Sequence, residues 1–333
     1  MTEEANAGRR ALLLGAAAAA PLLAMPRGAC AQAAWPERPL RLIITFGGGG
    51  QTDIVSRVAA EALGAKLGQA MIPDNRPGGN GNLAAETVAR ATPDGYTVLV
   101  AGSGTIGGLN ALLYRGVGYD GQRDFIPVGM FCTTANMLIV HNSIPGAGFP
   151  EIVAWIRANP GRFNYASAGV GAITHLIMED VGARLGLDMV HVAYRQTTQA
   201  MADLLAGRVH ARAMGIPEAE AIRGTAGVRP VAVTTPRRRP NWPDVPAVAE
   251  TIPGFEADAY FGLAVPRGTP EAAVRRLNAA MNEALRDEAV RAAFARVGAD
   301  PAEPNTPEEF AGRIRTDSAR WGGLIRRLNL VAE

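Results

Sequence analysis

Cysteine and histidine are scarce in this 333-residue chain, with two of the first and four of the second. Cys30 lies in the N-terminal segment, which leaves Cys132 with no internal disulfide partner, and its apolar neighbours predict a buried thiol. His141, His175, His191 and His210 stand at no metal-ligand spacing from one another or from a cysteine. That argues against a zinc site, and neither a metal nor a cofactor is expected. An excess of one charge is also lacking: 33 Lys and Arg against 31 Asp and Glu give a formal net charge of +2. So even a balance carries no electrostatic footprint for nucleic acid, and no such partner is expected. After the N-terminal segment no long apolar run remains, so the mature chain is expected to be soluble.

The N-terminus has the parts of a secretory signal peptide. Arg9-Arg10 precede an apolar stretch at 11–25 that Pro21 interrupts, and Ala31-Gln32-Ala33 offers a small-residue cleavage site. Residues 1–33 are read as the signal, cleaved after Ala33, with the periplasm as destination and either the general or the twin-arginine route open. Arg27 stands where a lipobox needs an aliphatic residue, which argues against lipidation. Cleavage removes three arginines and two glutamates, taking the net charge from +2 to +1. About 300 residues remain, enough for two domains with ordinary cores.

Along that length, short apolar or β-branched runs alternate with helical ones, the pattern of an α/β protein. Runs at 40–46, 96–101, 137–141, 163–167, 189–194, 209–214 and 228–234 read as strands, with a return strand at 258–265. Helices are predicted over 54–67 and 176–185, and further helix starts at Thr269-Pro270-Glu271 and Thr306-Pro307-Glu308-Glu309.

Two strand-to-helix junctions are rich in glycine. The first runs Phe46-Gly47-Gly48-Gly49-Gly50-Gln51-Thr52-Asp53; the second runs Ser167-Ala168-Gly169-Val170-Gly171-Ala172-Ile173-Thr174-His175. Bare backbone followed by a helix start brings N–H groups and the positive end of the helix dipole to a ligand, an arrangement suited to an anion. Each junction alone is also an ordinary tight βα turn. Two of them in separate α/β blocks of a secreted chain can grip a ligand across a cleft.

These segments, with others in order, carry a resemblance. They include Trp35-Pro36-Glu37-Arg38-Pro39-Leu40, Asn75-Arg76-Pro77-Gly78-Gly79-Asn80-Gly81, Pro93-Asp94-Gly95-Tyr96-Thr97, Thr174-His175-Leu176, Asp244-Val245-Pro246-Ala247-Val248 and Pro253-Gly254-Phe255-Glu256. Over nearly all its mature length the chain resembles the periplasmic substrate-binding proteins of tripartite tricarboxylate transporters, the Bug receptors. The resemblance implies a two-domain periplasmic-binding-protein clamshell, type II-like, without enzymatic activity. It implies a discontinuous first domain, 34–134 with 255–333, and a second at 135–254. It further implies a small carboxylate in the interdomain cleft, delivered to the permease subunits of such a transporter by a receptor expected to be monomeric. The two glycine loops would be its jaws, holding the carboxylate through backbone N–H groups, hydroxyls and waters.

On that basis the candidate ligand-binding residues are Phe46, Gly48, Gly49, Gly50, Gln51, Thr52 and Asp53 on one jaw and Ser167, Gly169, Val170, Gly171, Ala172 and His175 on the other. Asp53 either contacts ligand or shapes its loop, since a carboxylate repels another, and His175 either touches ligand or only holds its jaw. Strand ends add Ser103, Thr105 and Phe261, the last either a pocket wall or core. Departures from the family pattern add Tyr194, Arg195 and Met214: Ala193-Tyr194-Arg195-Gln196 replaces Pro-Tyr-Lys-Gly, and Met214-Gly215 replaces an acidic strand end. Arg195 is either a surface charge or a guanidinium for a second carboxylate, and Met214 removes a charge that an ammonium would want. A dicarboxylate or an aromatic carboxylate without an amino group is therefore favoured.

Other readings draw on the same residues. Gly102-Ser103-Gly104-Thr105-Ile106-Gly107 has dinucleotide-loop spacing, but an exported chain rarely meets that cofactor, and no Gly-x-Ser-x-Gly elbow supports hydrolysis. A ligand sensor docking on a membrane signalling protein would carry the same pocket, and a secreted cofactor-free enzyme is the remaining alternative. Arg237-Arg238-Arg239 either touches such a partner or is a solvated loop.

Overall fold

A computed structural model describes residues 35–102 and 104–332; the signal segment, Cys30 and Ser103 lie outside the described residues. The segment ending at Glu37 is a unit by itself, and the folded body begins at Arg38.

The strands are β1 (Leu40–Ile44), β2 (Met71–Asn75), β3 (Thr97–Ala101), β4 (Phe125–His141), β5 (Phe163–Ser167), β6 (Met189–Ala193), β7 (Ala211–Gly215), β8 (Val228–Val233), β9 (Asp258–Pro266) and β10 (Asp300–Pro301). The helices are α1 (Gln51–Leu67), α2 (Asn82–Ala89), α3 (Leu109–Leu113), α4 (Phe149–Ala158), α5 (Ile173–Leu185), α6 (Thr197–Leu205), α7 (Ile216–Ala221), α8 (Glu271–Arg286), α9 (Glu288–Arg296) and α10 (Pro307–Arg327).

The strands pair in the order β2-β1-β3-β9-β4-β7-β5-β6, with β8 and β10 also on β4. β4 divides this path. Its residues through Ala135 pair antiparallel with β9, while those from Asn136 onward pair with β7, so one strand serves two sheets. The chain returns to the first sheet at Asp258. Within each sheet, parallel pairs (β1 with β2 and β3, β5 with β6 and β7) send their βα loops to the carboxyl ends of the strands, where open α/β sheets bind ligands.

Besides the two-residue β10, β2 and the first half of β4 escape the sequence pattern for physical reasons. Pro73 and Asn75 read as punctuation, yet β2 is an edge strand, where proline costs no ladder bond. The first half of β4 is broken by Pro127 and Gly129, and both lie at register shifts against β9.

α1 buries Val55, Ala59, Leu63 and Leu67 at helical spacing, leaves Arg57 and Glu61 outward, and stops at Gly68 in the left-handed region (φ 72°). α10 is held at its start by a capping box between Thr306 and Glu309. Phe310 and Ile314 on its first half share a core with Tyr260 and Ala264 of the first sheet, and Trp321, Leu324 and Ile325 on its second half join Phe163, Leu176 and Val181. The last helix thus ties into both cores. Cys132 is buried and free, and burial pushes its thiol well above the usual range.

Candidate functional site

The glycine loops after β1 and β5 open on one cavity of about 80 Å³, several times the roughly 10–15 Å³ that a water needs on that measure. Phe46, Gly50, Gln51 and Thr52 line it from the first jaw, and Gly171, Ala172, Ile173 and Thr174 from the second. Gly50 is the N-cap of α1 and Ala172 that of α5, so two helix starts meet at the cavity. Thr105 lies on the wall beside Gly104 and Asn80, and Phe261 forms another part while stacking on Phe131 at 6.5 Å between ring centroids. Phe261 is therefore both wall and core.

The other sequence candidates lie behind this surface or away from it. Gly48 and Gly49 are exposed and outside the lining. Asp53 turns away: its carboxylate accepts the Gly49 N–H at 3.0 Å, the Asn75 amide at 3.0 Å and the Arg57 guanidinium at 2.9 Å. Burial pushes its pKa up, but these partners together hold it below the ordinary carboxylate value, so it braces the first jaw as an anion. Met214 is fully buried in the core with Met137 and Ile139. Tyr194 donates to Asp203 at 2.8 Å, and Arg195 is exposed with no place in the lining. Arg238 and Arg239 pair with Glu250 and Asp300.

Ser167, Gly169, Val170 and His175 shape the second jaw from behind. The Gly171 N–H donates to His175 Nδ1 at 3.0 Å, Gly169 N–H donates to Ser167 Oγ at 3.1 Å, and Val170 offers its carbonyl to the Tyr114 hydroxyl at 2.9 Å. The His175 ring stacks 3.9 Å from that of His191, whose Nε2 lies 2.6 Å from Ser167 Oγ. Burial, and then the neighbouring His175, push the His191 pKa down to about 4. Since an unfolded histidine titrates near 6.5, the unfolded chain binds this proton first, and stability falls as pH drops from about 6.5 toward 4. Urea unfolding at pH 7 and pH 5 should show that fall, and the difference should shrink in His191→Asn; an undiminished difference would assign it to other groups.

Among the lining residues absent from the sequence-based candidates, which include Asn80, Leu109, Thr174 and Thr197, two are charged. Arg212, on β7, is 1% exposed and lines the cavity, as does Glu218 on α7. Arg212 Nη2 lies 2.7 Å from Glu218 Oε2, at an angle that makes no hydrogen bond, and its Nε and Nη1 have no partner. Glu218 Oε1 accepts the N–H of Gln51, the first residue of α1, at 2.9 Å. Thr134 Oγ1 donates to Gln51 Oε1 at 2.8 Å, fixing that side chain where it passes over Gly215. The signal available in the sequence was Arg212 between Ala211 and Ala213 in a predicted strand, with an acidic residue shortly after. Among the described residues, no group of three or more His, Cys, Asp or Glu is placed to hold a metal.

The sequence pattern of the tripartite tricarboxylate transporter family receptor, TctC, matches residues 55–330. The chain belongs to this family. The matched region takes in the second jaw, Arg212 and Glu218. BugT of Bordetella pertussis is 32% identical over 294 residues, 88% of this chain and 90% of BugT. The receptor also superposes on solved structures. R. palustris Rpa4515 with adipate is 31% identical with a TM-score of 0.85, covering 90% of this chain and all of that one. MatC from Rhodopseudomonas palustris with bound malate is 30% identical with a TM-score of 0.81, covering 87% and 99%. The receptor has the two-lobed α/β clamshell of these periplasmic binding proteins.

Proposed function

We propose that this receptor is exported on residues 1–33, cleaved after Ala33, and works in the periplasm as a monomer that binds a small carboxylate and hands it to the membrane subunits of a tripartite tricarboxylate transporter. Its lobes are 34–134 with 255–333, and 135–254, and the ligand sits between them. Ligand and lobes are linked by one observation: a buried guanidinium, Arg212, lines the cleft with hydrogen-bonding capacity unspent. A ligand carboxylate would meet that capacity through charge-assisted hydrogen bonds, which are about twice as strong as neutral ones. The N–H groups at the starts of α1 and α5 add donors, while Phe46, Leu109, Ile173 and Phe261 offer apolar walls. A dicarboxylate or an aromatic carboxylate fits these features, and the adipate and malate held by Rpa4515 and MatC support the class. No helix among the described residues is long and apolar enough to cross a membrane.

A thermal-shift panel tests this reading. A carboxylate at about 100 times its dissociation constant stabilises by about 2.7 kcal/mol, enough to raise Tm by several degrees. Stabilisation by dicarboxylates or aromatic acids is expected. Stabilisation by amino acids alone, or by sugars alone, would overturn the proposal.

A further inference from the structure

The first jaw already holds a carboxylate, and it is the protein's own. Gln51 N–H, at the positive end of α1, donates to Glu218 Oε1 across the cleft, and the other oxygen of Glu218 lies 2.7 Å from Arg212. We infer that Glu218 fills one of the two anion positions of the cleft, so that Arg212 is the single charged anchor left for ligand and the receptor selects a molecule with one carboxylate and an apolar body. This inference rests on the carboxylate reading above and narrows it to monocarboxylates, against its dicarboxylate option.

The charge balance leads there. Arg212 and Glu218 are the only charged side chains among the described residues that line the cavity, so before ligand enters, their charges cancel. One ligand carboxylate leaves a single net negative charge beside two helix starts. A second would sit near Glu218, where two carboxylates in one partly enclosed cleft repel each other.

The hydrogen-bond balance agrees. Glu218 Oε1 accepts the Gln51 N–H and Oε2 lies against Arg212 as its ionic partner, so an ammonium group would have to displace that guanidinium, while Arg212 itself has donors unspent. Arg212 Nε and Nη1 have no partner, and the Thr197 hydroxyl, also on the cavity wall, has none. A ligand that only accepts, at one end, satisfies these groups. Phe46, Leu109, Leu176 and Phe261 on the same wall offer contacts for an apolar ligand body.

Titration calorimetry with two matched pairs of probes tests the inference: hexanoate against adipate, and benzoate against terephthalate. The wild-type protein should bind the monocarboxylate of each pair at least about tenfold more tightly. In Glu218→Gln the amide oxygen can still accept the Gln51 N–H while the charge is gone, and the ratio should narrow by about tenfold. Equal or tighter binding of adipate and terephthalate by the wild type, or a ratio unmoved in Glu218→Gln, overturns the inference and leaves the carboxylate reading standing. Failure of all four probes to bind at millimolar concentration overturns both. Should the variant not fold, the wild-type ratios alone decide.

Discussion

Arg212→Met should weaken ligand binding sharply while leaving a folded protein. The guanidinium is 1% exposed, and none of its three nitrogens has a hydrogen-bond partner. Truncating one member of a buried charge pair typically costs 2–5 kcal/mol of binding, so carboxylate affinity should fall by about 30-fold to more than 1,000-fold. The substitution also leaves Glu218 buried without its cation, which by itself would cost about 3–5 kcal/mol of stability. Methionine removes an incompletely satisfied charge, so the measured loss should be smaller. The double variant Arg212→Met with Glu218→Gln separates the effects. It should recover most of the stability, because apolar or neutral replacements of buried pairs are often tolerated, but none of the binding. Recovery of affinity in the double variant would mean that the single substitution had acted through folding.

A methyl group at position 215 should weaken binding without touching the ligand. Gly215 ends β7 with φ −63° and ψ 149°, angles that alanine adopts freely, so Gly215→Ala imposes no backbone strain. Its Cβ would nevertheless fall 2.6 Å from Gln51 Cδ and 2.7 Å from Gln51 Cβ, and would overlap Gln51 Oε1 more closely still. Gln51 cannot swing aside cheaply, because its side chain accepts from Thr134 and its N–H donates to Glu218. The methyl therefore pushes the start of α1 away from β7, which prises the two jaws apart. Overpacking of this kind costs about 1–3 kcal/mol, or roughly 5- to 150-fold in affinity when it opposes the ligand-bound arrangement. Small-angle scattering of the ligand-saturated protein should show a larger radius of gyration for Gly215→Ala than for the wild type. Unchanged affinity and radius would mean that this close approach plays no part in binding.

Gly171 makes a similar approach from the other jaw. It has φ +80°, and a Cβ there would collide with the Leu113 side chain, so any side chain at that position meets both strain and contact.

Such approaches explain what the sequence could and could not reveal. The two jaws were legible because their signals are local: a strand, bare glycines and a helix start at each. The α/β class was legible too, since strand and helix periods alternate along the chain. The charges that line the cavity were not. Arg195 and Arg212 look alike as letters, and Arg195, beside a departure from the family pattern, drew attention. Yet Arg195 follows a strand end and is exposed, whereas Arg212 sits mid-strand on β7, flanked by β4 and β5 and buried on both faces. Only tertiary pairing, which brings Glu218 and Gln51 to the same point, gives that burial its meaning. Met214 likewise marked the right strand but points into the core. His175 and Asp53 left their roles open in the sequence because a side chain that shapes a loop and one that touches a ligand have the same spacing; in the structure each accepts a loop N–H, from Gly171 and Gly49, and neither lines the cavity.

The most direct measurement is native mass spectrometry of wild-type and Arg212→Met protein purified side by side without denaturation, with the released ligand identified. The wild type should carry one small carboxylate per chain and the variant none. A bound sugar or amine in the wild type, or equal occupancy in both proteins, would contradict a cleft that reads a carboxylate through Arg212.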